Sequence, residues 1–98
     1  MEDDITNVHP GMALQEFLTD YEVSQSRLAR EIRVPARRIN AIVRGERGIT
    51  ADTAVRLARF FGNRADFWLG LQDLYDLRDA ETRLAPELTR IHPLASGN

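Results

Sequence analysis

Gln25-Ser26-Arg27-Leu28-Ala29-Arg30-Glu31-Ile32-Arg33-Val34-Pro35-Ala36-Arg37-Arg38-Ile39-Asn40-Ala41-Ile42-Val43-Arg44 is a run in which helical apolar spacing starts, stops and starts again. Leu28, Ala29 and Ile32 mark the inward face of one helix, and Ile39, Ile42 and Val43 that of a second. Pro35 is compatible with the first turn of that second helix, where no amide partner is needed, so a helix over Pro35 to Val43 is expected. Leu28, Ile32, Val34, Ile39 and Ile42 sit where two helices crossing at a fixed angle must touch. Ala29 lies where the second helix has to approach closely. Together these make a helix-turn-helix. Its turn position, commonly glycine, is Arg33. A side chain disfavours positive φ, so a variant turn is expected there.

Outward from this motif the chain reads as helices throughout, with no convincing strand signal. His9-Pro10-Gly11 opens a first helix whose apolar face is Met12, Leu14, Phe17 and Leu18, ending near Asp20 to Glu22. Ser24 is placed to cap the second helix and Thr50 a fourth, Ala51 to Phe61, which Gly62 closes. Asn63 with Asp66 resembles a capping box opening a fifth helix to about Ala80. The fold expected is all-α, one compact five-helix domain. Its organisation reads as a flexible acidic segment over 1–8, a helix-turn-helix domain over 9–80, and a poorly ordered tail over 81–98.

The 98 residues contain no cysteine, which excludes disulfides, thiolate metal sites and cysteine nucleophiles. No signal peptide or membrane anchor is visible, and a cytoplasmic protein is expected. The formal net charge of -2 argues against a nucleic-acid partner until its distribution is read. Residues 1–22 hold six acids and no base, residues 24–64 hold ten arginines against three acids, and residues 65–98 hold six acids against three arginines. Such segregation is the footprint of a phosphate-binding middle.

If the second helix of the motif enters the major groove, its N-terminal residues face base edges. Arg37 and Arg38 suit the O6 and N7 acceptors of guanine, Asn40 the N6 and N7 of adenine, and Ala36 a thymine methyl. Gln25 and Ser26, with Arg44 and Arg47 at the far end, are placed for phosphates and fix register. For any single arginine a surface salt bridge is the alternative, as for Arg27 with Glu31. One recognition helix reads few base pairs, so a homodimer on two half-sites is expected. The fifth helix is the candidate seam, with Trp68, Leu69 and Tyr75 as its surplus apolar residues. Phe67 and Leu71 are assigned to the subunit core, and Trp68 stands equally between core and seam.

Catalysis finds no support. His9 and His92 lie far apart in the chain and each precedes a proline. Asp73, Asp76 and Asp79 recur every third residue and read as a solvated face, not a metal site. No phosphate loop is present, and no cofactor or small-molecule ligand is indicated.

The ordered set His9-Pro10-Gly11, Val23-Ser24-Gln25-Ser26, Arg38-Ile39-Asn40, Ile42-Val43-Arg44-Gly45, Arg47-Gly48-Ile49-Thr50-Ala51-Asp52-Thr53-Ala54 and Phe67-Trp68-Leu69 resembles the HigA-type antitoxins. These are Xre-like helix-turn-helix proteins of toxin-antitoxin modules, and the resemblance spans roughly Val8 to Ala80. It implies a lambda-repressor-like domain that dimerises through its C-terminal part and binds a palindromic operator in its own promoter. It also implies neutralisation of a cognate HigB-like ribonuclease toxin by direct binding. Ala36 stands where relatives often carry a polar or basic residue. The acidic stretches, including Glu2, Asp3, Asp4 and Glu16, are one candidate docking surface for a basic toxin and equally a solubilising feature; the toxin surface itself is unknown. A stand-alone Xre-like repressor of phage or plasmid type is the other reading.

Overall fold

Five helices, with no strand among the described residues, carry the architecture of the computed structural model, which describes residues 7–95. They are α1 (Pro10–Asp20), α2 (Gln25–Ile32), α3 (Ala36–Val43), α4 (Ala51–Phe61) and α5 (Ala65–Leu88). Most of the expected 1–8 segment, including Glu2, Asp3 and Asp4, lies outside the described residues. Helix starts follow local chemistry. The His9 Nδ1 accepts from the Gly11 amide at 2.9 Å, Ser24 Oγ from Arg27 at 3.0 Å and Thr50 Oγ1 from Thr53 at 3.3 Å. Each satisfies an amide that the helix itself leaves unpaired. Gly62 closes α4 at φ 74°, as its position implied.

α2 packs on α3, α1 on α3 and α5, and α4 on α2 and α5, around one core. Leu14, Leu18, Leu28, Ile39, Ile42, Leu57 and Trp68 are fully buried at its centre. Trp68 packs between Phe17 and Phe61, with ring centroids 4.9 and 5.8 Å away.

Four expectations are corrected. Arg33 does not make a variant turn: it takes the left-handed conformation usual for glycine, φ 63° and ψ 47°. The turn keeps its shape because the Val34 amide still reaches the Ala29 carbonyl at 3.0 Å and the Arg56 guanidinium donates to the Ile32 carbonyl at 2.8 Å. A side chain in this region costs about 1 kcal/mol or more. Arg33→Gly is therefore expected to stabilise the fold by about 0.5–1 kcal/mol, after the entropy glycine adds to the unfolded chain. A thermal melt should show a rise of several degrees, roughly as a domain of this size responds to that change.

Second, Asn63 does not cap α5. Its Oδ1 accepts from the Trp68 indole N–H at 2.9 Å, because a buried indole needs an acceptor, while Asp66 pairs through both oxygens with Arg64. Arg64 occupies the cap position but its side chain accepts from no helix amide, and α3 likewise starts at Ala36 with Pro35 as its extended cap. Third, Trp68 has no exposed surface, so its side chain has nothing to offer a second subunit. Leu69 packs against the core, Tyr75 is half-buried edge-on to His9, and Phe67, assigned to the core, is 40% exposed.

Fourth, α5 continues past Ala80 to Leu88. Asp79 and Arg83 pair one turn apart, and the stretch is rich in helix formers. Pro86 removes one amide from the helix, which ends within a turn of it. The projecting end gives a radius of gyration of 17.0 Å, against about 13 Å for a compact chain of this length. No helix of the described residues is long and apolar enough to cross a membrane.

The cap on α1 also titrates. Burial lowers the His9 pKa from its ordinary 6.5, and the Asp76 charge offsets this in part. Nδ1 can accept only when unprotonated, so protons favour the unfolded chain. Stability is expected to be level above about pH 6.5 and to fall as pH drops toward the lower folded value. Melts between about pH 5 and 8 should show this slope, and His9→Asn, an acceptor that does not titrate, should reduce it.

Candidate nucleic-acid interface

The position of α3 is set by its contacts with α1, α2 and α4. Gly11 of α1 meets the backbone of α3 directly: a Cβ on Gly11 would lie 1.9 Å from the Ile42 carbonyl oxygen. From α2, Gln25 Oε1 accepts from Asn40 Nδ2, and Gln25 Nε2 in turn donates to Gln15 Oε1 at 3.4 Å. From α4, Asp52 holds Arg38 at 3.2 Å and Arg56 at 2.7 Å. α5 reaches the loop after α3, where Gln72 Oε1 accepts from the Ile49 amide at 2.7 Å. The recognition helix is thus held on its inner side while Ala36 and Arg37 face solvent.

The expected readers therefore differ in availability. Arg37 is exposed and, among the described residues, makes no side-chain hydrogen bond or ion pair. Arg38, its neighbour, has a side chain only 24% exposed and occupied by Asp52. Asn40 is half-buried and engaged with Gln25, so in the free protein it orients Gln25 instead of standing open. Gln25 is half-buried, and Ser26 is exposed with its hydroxyl 3.4 Å from that of Ser24. Arg44 pairs with Glu46 at 3.2 Å, but both side chains are about 60% exposed. Such a pair contributes about 1 kcal/mol at most and yields easily to another anion. Arg47, like Arg30 and Arg33, has no side-chain partner among the described residues.

Asp52 and Arg56 were absent from the expected site. Their four-residue spacing in α4 was readable; their meeting with Arg38 was not, because Arg38 comes from another helix. The hydrogen bond from Arg56, then the charges of Arg56 and Arg38, hold the Asp52 carboxyl below its ordinary pKa. Among the described residues no group of His, Asp or Glu could hold a metal ion.

The family model for the helix-turn-helix matches residues 14–68, which takes in α2, α3 and all of α4. The solved Pseudomonas aeruginosa antitoxin HigA with the higBA promoter superposes with a TM-score of 0.87. The two are 42% identical, over 91% of this chain and 99% of that one. This chain belongs to the HigA-type antitoxins of the Xre-like helix-turn-helix family. It is 51% identical over 75 residues to virulence-associated protein I of Dichelobacter nodosus, covering 76% of this chain and 69% of that protein. It is 32% identical over 79 residues to antitoxin HigA-1 of Vibrio cholerae, covering 81% and 74%. The relatives named here are described as antitoxins or as a virulence-associated protein.

Proposed function

We propose that this HigA-type chain is a cytoplasmic, homodimeric antitoxin that represses its own operon by binding a palindromic operator and neutralises a cognate HigB-like ribonuclease. The observation that carries the DNA half is Arg37: an exposed, unpartnered cation at the start of α3, with the unpartnered Arg47 in the loop beyond. The P. aeruginosa HigA that was solved with promoter DNA has the same fold. Arg37 and Arg38 read guanine edges and Ala36 lies against a thymine methyl. Asn40 acts on DNA through Gln25, or directly once that bond is exchanged. Gln25, Ser26, Arg44 and Arg47 hold phosphates, and the N-terminal end of α2 adds its free amides.

The dimer seam moves from the expected Trp68, Leu69 and Tyr75 to the exposed stripe Phe67, Leu74, Leu77, Leu84 and Leu88. These residues follow one another at intervals of seven, three, seven and four, the repeat of a helix-pairing seam. Glu81 falls within that stripe and would favour one register over others.

The test is a salt series of promoter binding with footprinting, together with co-expression beside the product of the adjacent gene. Protection of two half-sites about one helical turn apart, with affinity falling steeply as salt rises, is expected. Binding indifferent to salt would reject the DNA half. Failure to co-purify with a small basic neighbour, or to relieve its toxicity, would reject the antitoxin half.

A further inference from the structure

The two adjacent arginines at the start of α3 are held in opposite ways, and the difference is structural. Arg37 is open to solvent with no partner. Arg38 turns toward α4, where its Nη1 donates to Asp52 Oδ1 at 3.2 Å. The same oxygen accepts from Arg56 Nε at 2.7 Å. Arg56 is itself anchored, with Nη1 donating to the Ile32 carbonyl at 2.8 Å and to the Arg33 carbonyl at 3.4 Å. The carboxylate is thus fixed by a cation tied to the end of α2, and Arg38 rests on a braced partner and not on a swinging one. The bond satisfies Arg38 only in part, since its Nε is buried without an acceptor. The Asp52 side chain is 59% exposed, in the first turn of α4.

We infer that Asp52 is a specificity-determining residue, which makes the contribution of Arg38 to binding conditional on the DNA sequence. This rests on the DNA-binding reading above. Non-specific binding is driven by cations that neutralise phosphates and release their counterions. A guanidinium already balanced by a fixed carboxylate adds nothing to that count, and the carboxylate itself repels any phosphate approaching α4. Arg38 is released only where it is offered something better than Asp52. A guanine supplies two acceptors, O6 and N7, in a geometry that matches the guanidinium. Arg37 attracts every duplex; Arg38 rewards only the right one.

The experiment compares the full-length chain with Asp52→Asn, Arg38→Gln, Arg37→Gln and Glu46→Gln. Binding to the promoter fragment and to a random duplex of equal length is measured across a salt series. Arg38→Gln is expected to weaken promoter binding about tenfold or more, in line with loss of one bidentate base contact, while changing random-duplex binding less than about twofold. Arg37→Gln weakens both. Asp52→Asn is expected to tighten random-duplex binding and steepen its salt dependence by about 0.9 in the log-log slope for each subunit bound, the value of one added phosphate contact. The ratio between promoter and random affinities then falls. Glu46→Gln, which frees a cation outside this cluster, should tighten both duplexes alike and leave the ratio unchanged.

Asp52→Asn acting like Glu46→Gln, or weakening both duplexes, would overturn the inference. So would equal losses on both duplexes in Arg38→Gln, which also decides the matter if Asp52→Asn fails to fold. Wild-type protein that binds the promoter without salt dependence would instead remove the DNA-binding reading itself, and the inference with it.

Discussion

Gly11→Ala is expected to destabilise the protein by about 3 kcal/mol, at the upper end of what overpacking a well-filled core costs. At most helical sites the same change is favourable by about 0.5–1 kcal/mol, because alanine loses less entropy than glycine. Here the added methyl would lie 1.9 Å from the Ile42 carbonyl oxygen, 2.8 Å from its carbon and 3.1 Å from the Val43 Cα. All three are backbone atoms of α3, so no rotamer change relieves the clash. α1 and α3 must separate, and the buried Leu14, Ile39 and Ile42 then lose contacts that no neighbour can replace. A small domain has only some 5–15 kcal/mol in total, so the loss is a large part of it. Urea unfolding at fixed protein concentration checks this, and an unchanged or raised midpoint would show that α1 is free to move aside. Since α3 moves with the contact, DNA binding should fail in the same variant.

Arg37→Ala combined with Arg38→Ala is expected to reduce promoter affinity by about 100-fold or more at constant salt, two bidentate contacts at roughly 1–3 kcal/mol each. Folding should be almost unaffected. Arg37 has no partner to lose, and the Arg38–Asp52 pair has an exposed carboxylate, a class of contact worth about 1 kcal/mol at most. Fluorescence anisotropy on a labelled promoter fragment, with a melting curve of the same preparation, separates the two effects. A loss below about tenfold with the fold intact would move base reading away from the start of α3.

α1 to α4 were legible in the sequence because their signals are local. Ser24 and Thr50 reach amides three residues on, Gly62 supplies its own positive φ, and the apolar faces repeat within a turn. What escaped sequence reading depends on residues distant in the chain. Arg33 tolerates a glycine conformation in a turn that Arg56 ties down from another helix. Asn63 looked like a cap until Trp68, buried by Phe17 and Phe61, needed its oxygen. The candidate readers divide on the same principle. Arg37 points outward, whereas Arg38 and Asn40 are held by partners 14 and 15 residues away. The end of α5 escaped because residues 81–88 bury no apolar face in the core, so the periodic signal stops near Ala80 while the helix runs on to Leu88.

The length of α5 bears on gene control. Residues 81–88 are helical yet exposed on every side, and so short a stretch is marginal in water without contacts from elsewhere. In the proposed homodimer a second copy laid along the Leu77, Leu84 and Leu88 stripe would supply those contacts, making helix formation and pairing a single equilibrium. The DNA-competent species would then grow with the square of chain abundance at low concentration. A promoter governed this way would close over a narrower range of abundance than a monomer with the same arginines would allow, and would reopen as sharply on dilution.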